Sequence, residues 1–280
     1  MNALELRNVS KAYKGFRLDN ISLTLPRGCI MGLIGENGAG KSTTIKLILR
    51  MIKRDGGVIR LLGRNDTADF QAVKEDLGVV LDEVGFPECL TTAQIGSIMK
   101  HTYKNWDGGI FDAYLRRFSL PADRPFKDFS RGMKMKLGIA AALSHAPKLL
   151  ILDEATSGLD PVVRDEVVEI LSEFTRDESH AVLISSHSVS DLEKLCDYIA
   201  FLHKGKLLLC EEKDRLLEQY GIIHCTASQL AALDGAAVKG KKTSAYGVEA
   251  VVRRDMIPAG MQASPVSIED LFVYMAKEGK

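Results

Sequence analysis

Residues 35–43 read GENGAGKST, and no other stretch restricts the possible folds so tightly. Gly35, Gly40, Lys41 and Ser42 satisfy G-x-x-x-x-G-K-[ST], between an apolar run, GCIMGLIG, and STTIKLILRMI, whose apolar residues fall at helical spacing. Strand, glycine loop and helix in that order let the backbone N–H groups face phosphate oxygens, and the helix N-terminus adds positive potential. Gly35, Asn37, Gly38, Ala39, Gly40, Lys41, Ser42 and Thr43 are therefore read as a nucleotide cradle. Lys41 would bridge the β- and γ-phosphates and the Ser42 hydroxyl would ligate Mg²⁺. Average residue frequencies produce such a match by chance in about one chain of this length in a hundred, so the motif itself argues for nucleotide binding.

A site of this kind needs a second carboxylate from the end of a neighbouring buried strand. Two phrases offer one: LGVVLDE at 77–83 and KLLILDE at 148–154. The second has four large apolar residues before Asp153, enough for a parallel strand buried on both faces. The first has only Val79, Val80 and Leu81 after a glycine, then runs into the loop VGFPE. Context favours Asp153 and Glu154.

The chain around these motifs divides into regions. ALELRNVS and LDNISLTLP alternate like strands. From about residue 84 helical patterns take over: TTAQIGSIMKHTY behind a threonine cap, IFDAYLRRF, and RGMKMKLGIAAALSHA before Pro147. Alternating units follow: strand KLLILDE, helix PVVRDEVVEILSEF capped by Asp160-Pro161, strand HAVLISS, helix SVSDLEKLCD, and a hairpin turning at Lys204-Gly205. The reading is an α/β core interrupted by a helical insert. Residues from about 221 are mixed in pattern, though SIEDLFVYMAKEG has helical spacing, consistent with a dimerisation or regulatory lobe or with plain packing against the core.

Lysine plus arginine equals aspartate plus glutamate, 37 each, which gives no sign of nucleic acid or an acidic lipid surface as the main partner. The basic KGKK at 239–242 reads as a solvated loop, and Lys134 and Lys136 as solvent-facing. Five cysteines without CxxC spacing suggest a reduced, cytosolic protein with no disulfide framework or metal cluster. There is no signal-peptide core at the start, and no run approaches the roughly 18–20 apolar residues that span a bilayer.

The order of the motifs is more telling than any one of them. After the phosphate loop come FSRGM, LLILDE, SGLD and ISSHS. This set resembles the ATPase subunit of an ABC transporter over residues 1 to about 215. The resemblance implies an α/β fold: a P-loop NTPase (RecA-like) core with an antiparallel β subdomain, an inserted helical subdomain at about 84–145, and a small C-terminal α/β extension. The ATPase domain would be 1–220 and the extension 221–280. It implies that Tyr13 stacks on adenine, Asp153 serves the magnesium site, Glu154 is the general base and His187 contacts the γ-phosphate. Ser130 and Gly132 would touch the γ-phosphate bound to an opposing subunit, and Asp160 would lie at the dimer seam. The cofactors implied are ATP and Mg²⁺. The partners implied are a transmembrane permease and a second ATPase subunit, in a homodimer or a pseudo-symmetric heterodimer, at the cytoplasmic face of the cell membrane.

The sequence departs from the family at one junction. Where the core meets the helical insert a glutamine is usual, and alignment places Asp82 there; Gln94, the glutamine of the insert, lies beyond LTT inside a helix. Asp82 is read as a replacement ligand for magnesium or water and as a coupling element, with a loop-facing carboxylate as the alternative. Arg131 and Met133 stand where glycine and glutamine are common, and Ala155 where proline is. One nucleotide unit without a long coiled coil favours a transporter motor over a soluble ATPase of translation or repair. The texture resembles a bacterial branch serving export of antimicrobial or cytolytic peptides, including phenol-soluble modulins, and bacitracin or lantibiotic resistance, with drug efflux or uptake by another ABC transporter as the alternative.

Overall fold

The computed structural model describes residues 1–66, 70–244 and 247–278. It begins with a hairpin of β1 (Asn2–Tyr13) and β2 (Phe16–Pro26), whose turn uses Gly15 at φ +86°, a conformation glycine adopts freely. β3 (Ile30–Ile34) is buried throughout, and α1 (Lys41–Ile48) follows the glycine loop. β4 (Gly56–Leu61) and β5 (Arg64–Asn65) complete an antiparallel sheet of order β2-β1-β4-β5. α2 (Phe70–Lys74) then leads into β6 (Leu77–Val80).

Three helices form the insert: α3 (Thr92–Thr102), α4 (Gly108–Arg117) and α5 (Arg131–Leu143). Thr91 Oγ1 accepts from the Gln94 N–H at 3.3 Å, and Gln94 Oε1 accepts from the Thr91 N–H at 2.9 Å. This reciprocal capping box commits Gln94 to the start of α3. Asp107 and Ser130 cap α4 and α5 by side-chain acceptance alone, from Gly109 and Ile110 N–H and from Met133 N–H. α5 belongs to the core as well as to the insert. Its Gly138 lies against β6, where an added Cβ would stand 3.1 Å from Val80 and from Val84.

The central sheet follows from the alternating half of the chain. β7 (Leu149–Asp153) leads to α6 (Pro161–Phe174), which Asp160 caps and Pro161 starts. β8 (Ala181–Ser186), α7 (Val189–Glu193), β9 (Tyr198–His203) and β10 (Lys206–Glu212) complete an order of β10-β9-β3-β8-β7-β6. All neighbours pair in parallel except β10 with β9. β3, β7 and β8 are buried at every position, which is why they read as continuous apolar runs. The parallel strands deliver their C-terminal ends, with Asp153, Ser186 and the glycine loop, to one edge.

The tail contains α8 (Lys213–Gln219), β11 (Tyr220–Cys225), α9 (Ala227–Ala231), β12 (Val238–Ser244), β13 (Gly247–Arg253) and α10 (Ile268–Glu278). Its sheet has the order β11-β13-β12. α10 packs on the core: the Phe272 ring meets Phe201 edge-on at 5.1 Å, and the Ile268 N–H donates to Glu193 Oε1 at 3.2 Å. Two expectations for charged residues need correcting. KGKK lies within strand β12 rather than a loop, and Gly240 is buried there, so close to α10 that an added Cβ would stand 2.4 Å from Tyr274 O. Lys136 is not solvent-facing either: its Nζ pairs with Glu166 at 2.6 Å, bridging α5 and α6.

Phe272 is buried between the lobe and the core. Phe272→Ala is expected to cost about 3–5 kcal/mol of stability, measured by urea unfolding of the full chain. An unchanged midpoint would show that this contact does not hold the lobe.

Candidate nucleotide site

Close packing forces two glycines of the loop, Gly35 and Gly40. A Cβ on Gly35 would stand 2.4 Å from Leu202 O; Gly40 has φ +112°, and a Cβ there would stand 2.9 Å from Leu18 Cδ1. Beside the loop lies a cleft of about 610 Å³, lined by Phe16, Glu36, Asn37, Gly38, Gly40, Lys41, Ser42, Thr43, Asp82, Arg131, Glu154, Ser157 and His187. Ala39 turns away into the apolar core. Gly35 contributes through its carbonyl, which accepts from Lys41 Nζ at 2.7 Å.

Lys41 is buried, and its ammonium also lies 3.1 Å from Glu154 Oε1. The other carboxylate oxygen, Oε2, lies 2.7 Å from His187 Nδ1. Burial opposes the charge on Glu154, but the hydrogen bonds and charges of His187 and Lys41 outweigh it and hold the carboxyl below its ordinary value of 4.5. Glu154 has φ +53°, the left-handed region that few residues other than glycine occupy. Two bonds from its N–H hold it there, to Ser185 O at 3.2 Å and Ser185 Oγ at 3.0 Å. Ser185 Oγ in turn donates to Asp153 Oδ1 at 2.6 Å. Ser185 thus orients both acidic residues, a role the motifs do not announce. The clue in the sequence is a pair of hydroxyls ending an otherwise apolar strand.

Other residues from the sequence reading lie elsewhere. Tyr13 is 47% exposed, with Lys11 Nζ 5.5 Å from its ring centre, and it does not line the cleft; the aromatic residue that does is Phe16, its partner across the hairpin. Ser130, Gly132 and Asp160 line a second cleft of about 340 Å³. Ser130 Oγ and Asp160 Oδ1 both act there as helix caps, accepting from Met133 N–H at 3.2 Å and Val163 N–H at 3.0 Å. Asp82 lies at the rim of the first cleft, 2.9 Å from Arg131 Nη2.

Among the described residues, no group of three or more His, Cys, Asp and Glu side chains is arranged to hold a metal. Of the residues read as metal ligands, Ser42 and Asp82 line the cleft, whereas Asp153 does not and is buried with its Oδ1 on Ser185 Oγ. These hard oxygens fit Mg²⁺, which is commonly held by one or two carboxylates together with substrate phosphates.

The parallel sheet, the glycine loop at its edge and the Lys41–Glu154–His187 cluster define a nucleotide hydrolase of the P-loop type. The sequence profile of the ABC transporter family matches residues 18–157, and the chain belongs to that family as an ATP-binding subunit and ATPase. It is 35% identical over 208 residues to the bacitracin transport ATP-binding protein BcrA of Enterococcus faecalis, covering 73% of this chain and 68% of that one. It is 36% identical over 215 residues to the lantibiotic transport ATP-binding protein SrtF of Streptococcus pyogenes, covering 75% of this chain and 91% of that one. A solved ATP binding subunit of an ABC transporter superposes with a TM-score of 0.70 at 27% identity, over 78% of this chain and 92% of that one.

The lowered Glu154 pKa makes a pH prediction. Its contribution to stability is fully present above the ordinary value of 4.5 and is lost as pH falls through the lower folded value. Urea unfolding between about pH 3 and 6 should show wild type losing stability relative to Glu154→Gln across that window.

Proposed function

We propose that this chain is the motor of an ABC exporter: it closes with a second ATPase subunit around two MgATP and drives a separate membrane-spanning subunit that exports amphipathic or antimicrobial peptides. The observation that carries the catalytic part is the Glu154 carboxylate, held between Lys41 and His187 beside the glycine loop. Among the described residues no helix is long and apolar enough to cross a membrane. That supports a peripheral place for this chain at the cytoplasmic face, with cargo chosen by its partner. The bacitracin and lantibiotic transport relatives support a peptide as cargo.

The chemistry follows from the residues. ATP phosphates settle on the loop backbone and on Lys41, which then has less to give Glu154. Glu154 accepts the proton of the attacking water, whose oxygen bonds to the γ-phosphorus as the bond to ADP breaks. His187 holds Glu154 and the attack geometry. Mg²⁺, when bound through Ser42 and Asp153, supplies charge neutralisation for the phosphates. Ser130 and Gly132 lie in a cleft of their own, which supports their completing the site of an opposing copy, with Asp160 at the seam.

Asp82 is proposed as a metal or water ligand that also couples the site to the membrane subunit. It lines the nucleotide cleft and a neighbouring groove of about 530 Å³ with Glu83, Val84, Phe86, Glu88, Phe126 and Met135. The segment 82–105 is therefore proposed to receive the membrane partner.

Glu154→Gln should slow turnover by at least about a hundredfold and accumulate an ATP-bound dimer in sedimentation velocity. Unimpaired turnover would remove Glu154 as the base. Asp82→Ala should lower stimulation of the ATPase by a co-purified membrane subunit and candidate peptides; unchanged basal and stimulated rates would assign Asp82 to the loop alone.

A further inference from the structure

Arg131 follows Ser130 at the start of α5, and its guanidinium folds back over the chain. Nη2 donates to Asp82 Oδ1 at 2.9 Å, and Nη1 passes so close to Gly158 that an added Cβ there would stand 3.1 Å from it. One side chain therefore meets the N-terminus of α5, the turn at Ser157–Gly158 and the loop after β6. Both members of the pair line the cleft that contains Lys41 and Glu154.

Stability alone does not account for this pair. Each side chain is 53% exposed, and an ion pair so open to water contributes little to folding. The cleft's charge balance supplies a better reason. Three carboxylates, Glu36, Asp82 and Glu154, line it against two full cations, Lys41 and Arg131. Lys41 is already shared with Glu154 at 3.1 Å. A triphosphate entering beside an uncovered Asp82 would meet a like charge, with Lys41 as the lining ammonium left to divide between the phosphates and Glu154. Arginine suits the task because its guanidinium stays charged and presents a fixed fork of donors to a carboxylate.

We propose that Arg131 is a positioning residue for nucleotide within its own chain: it neutralises Asp82 and fixes the direction of its carboxylate, so that the cleft accepts a triphosphate beside an acidic residue. The inference rests on nucleotide binding in this cleft. Lys41→Ala tests that premise separately, because it abolishes binding there whatever Arg131 does.

The experiment is a calorimetric Kd for a non-hydrolysable ATP analogue with Mg²⁺, measured on the full chain. Arg131→Ala should weaken binding about fivefold, the upper end for an exposed pair. Arg131→Gln, which keeps most of the side chain's length, should give the same loss, and Arg131→Lys a smaller one. Combined with Asp82→Asn, Arg131→Ala should bind as Asp82→Asn does alone, because no carboxylate remains to be covered. The loss should shrink as salt is raised. An unchanged Kd in Arg131→Ala and Arg131→Gln would overturn the proposal. So would losses that add in the double variant, which would mean that Arg131 touches the nucleotide independently of Asp82.

Discussion

The site depends on one carboxylate shared between an ammonium and an imidazole. Glu154 leaves the end of β7 with a left-handed backbone, places one oxygen on Lys41 and the other on His187, and gives its N–H to Ser185. The partners come from two segments: Lys41 from the phosphate loop, His187 and Ser185 from the end of β8. The parallel order β3-β8-β7 is what lets these segments meet, because all three strands end at the same edge. Under the proposed function, a phosphate bound at Lys41 would compete with Glu154 for the same ammonium. Nucleotide binding would then change the basicity of Glu154 through that contact, with His187 still on its other oxygen.

The helical insert is tied to this centre at two points. One is the loop after β6, with Asp82; the other is the start of α5, with Ser130 and Arg131. Gly138 fixes the far half of α5 against β6, so the two points share a common support. The ion pair between Asp82 and Arg131 spans the gap between them. The same two side chains thus join the insert to the charge balance of the cleft.

Much of this was legible in the sequence where chemistry requires specific residues in consecutive order. The glycine loop, the buried run ending in Asp153 and the Asp160-Pro161 helix start all carry their reasons locally. What was not legible depends on distance in three dimensions. Tyr13 and Phe16 face each other across a hairpin, and nothing local says that Phe16 is the one against the loop. Lys136 finds Glu166 on another helix, so a pattern that reads as solvated is in fact a bridge. KGKK hides a strand because its buried position is Gly240, which has no side chain to register as apolar. Arg131 reads as a departure from a motif until Asp82 is found beside it.

Competition between phosphate and Glu154 for Lys41 is read out by following the Glu154 carboxyl through a pH titration by carbon-13 NMR, with and without a bound non-hydrolysable ATP analogue and Mg²⁺. The Glu154 pKa, held below its ordinary value in the protein alone, should rise when the nucleotide is bound. A pKa that stays lowered with nucleotide in place would contradict it.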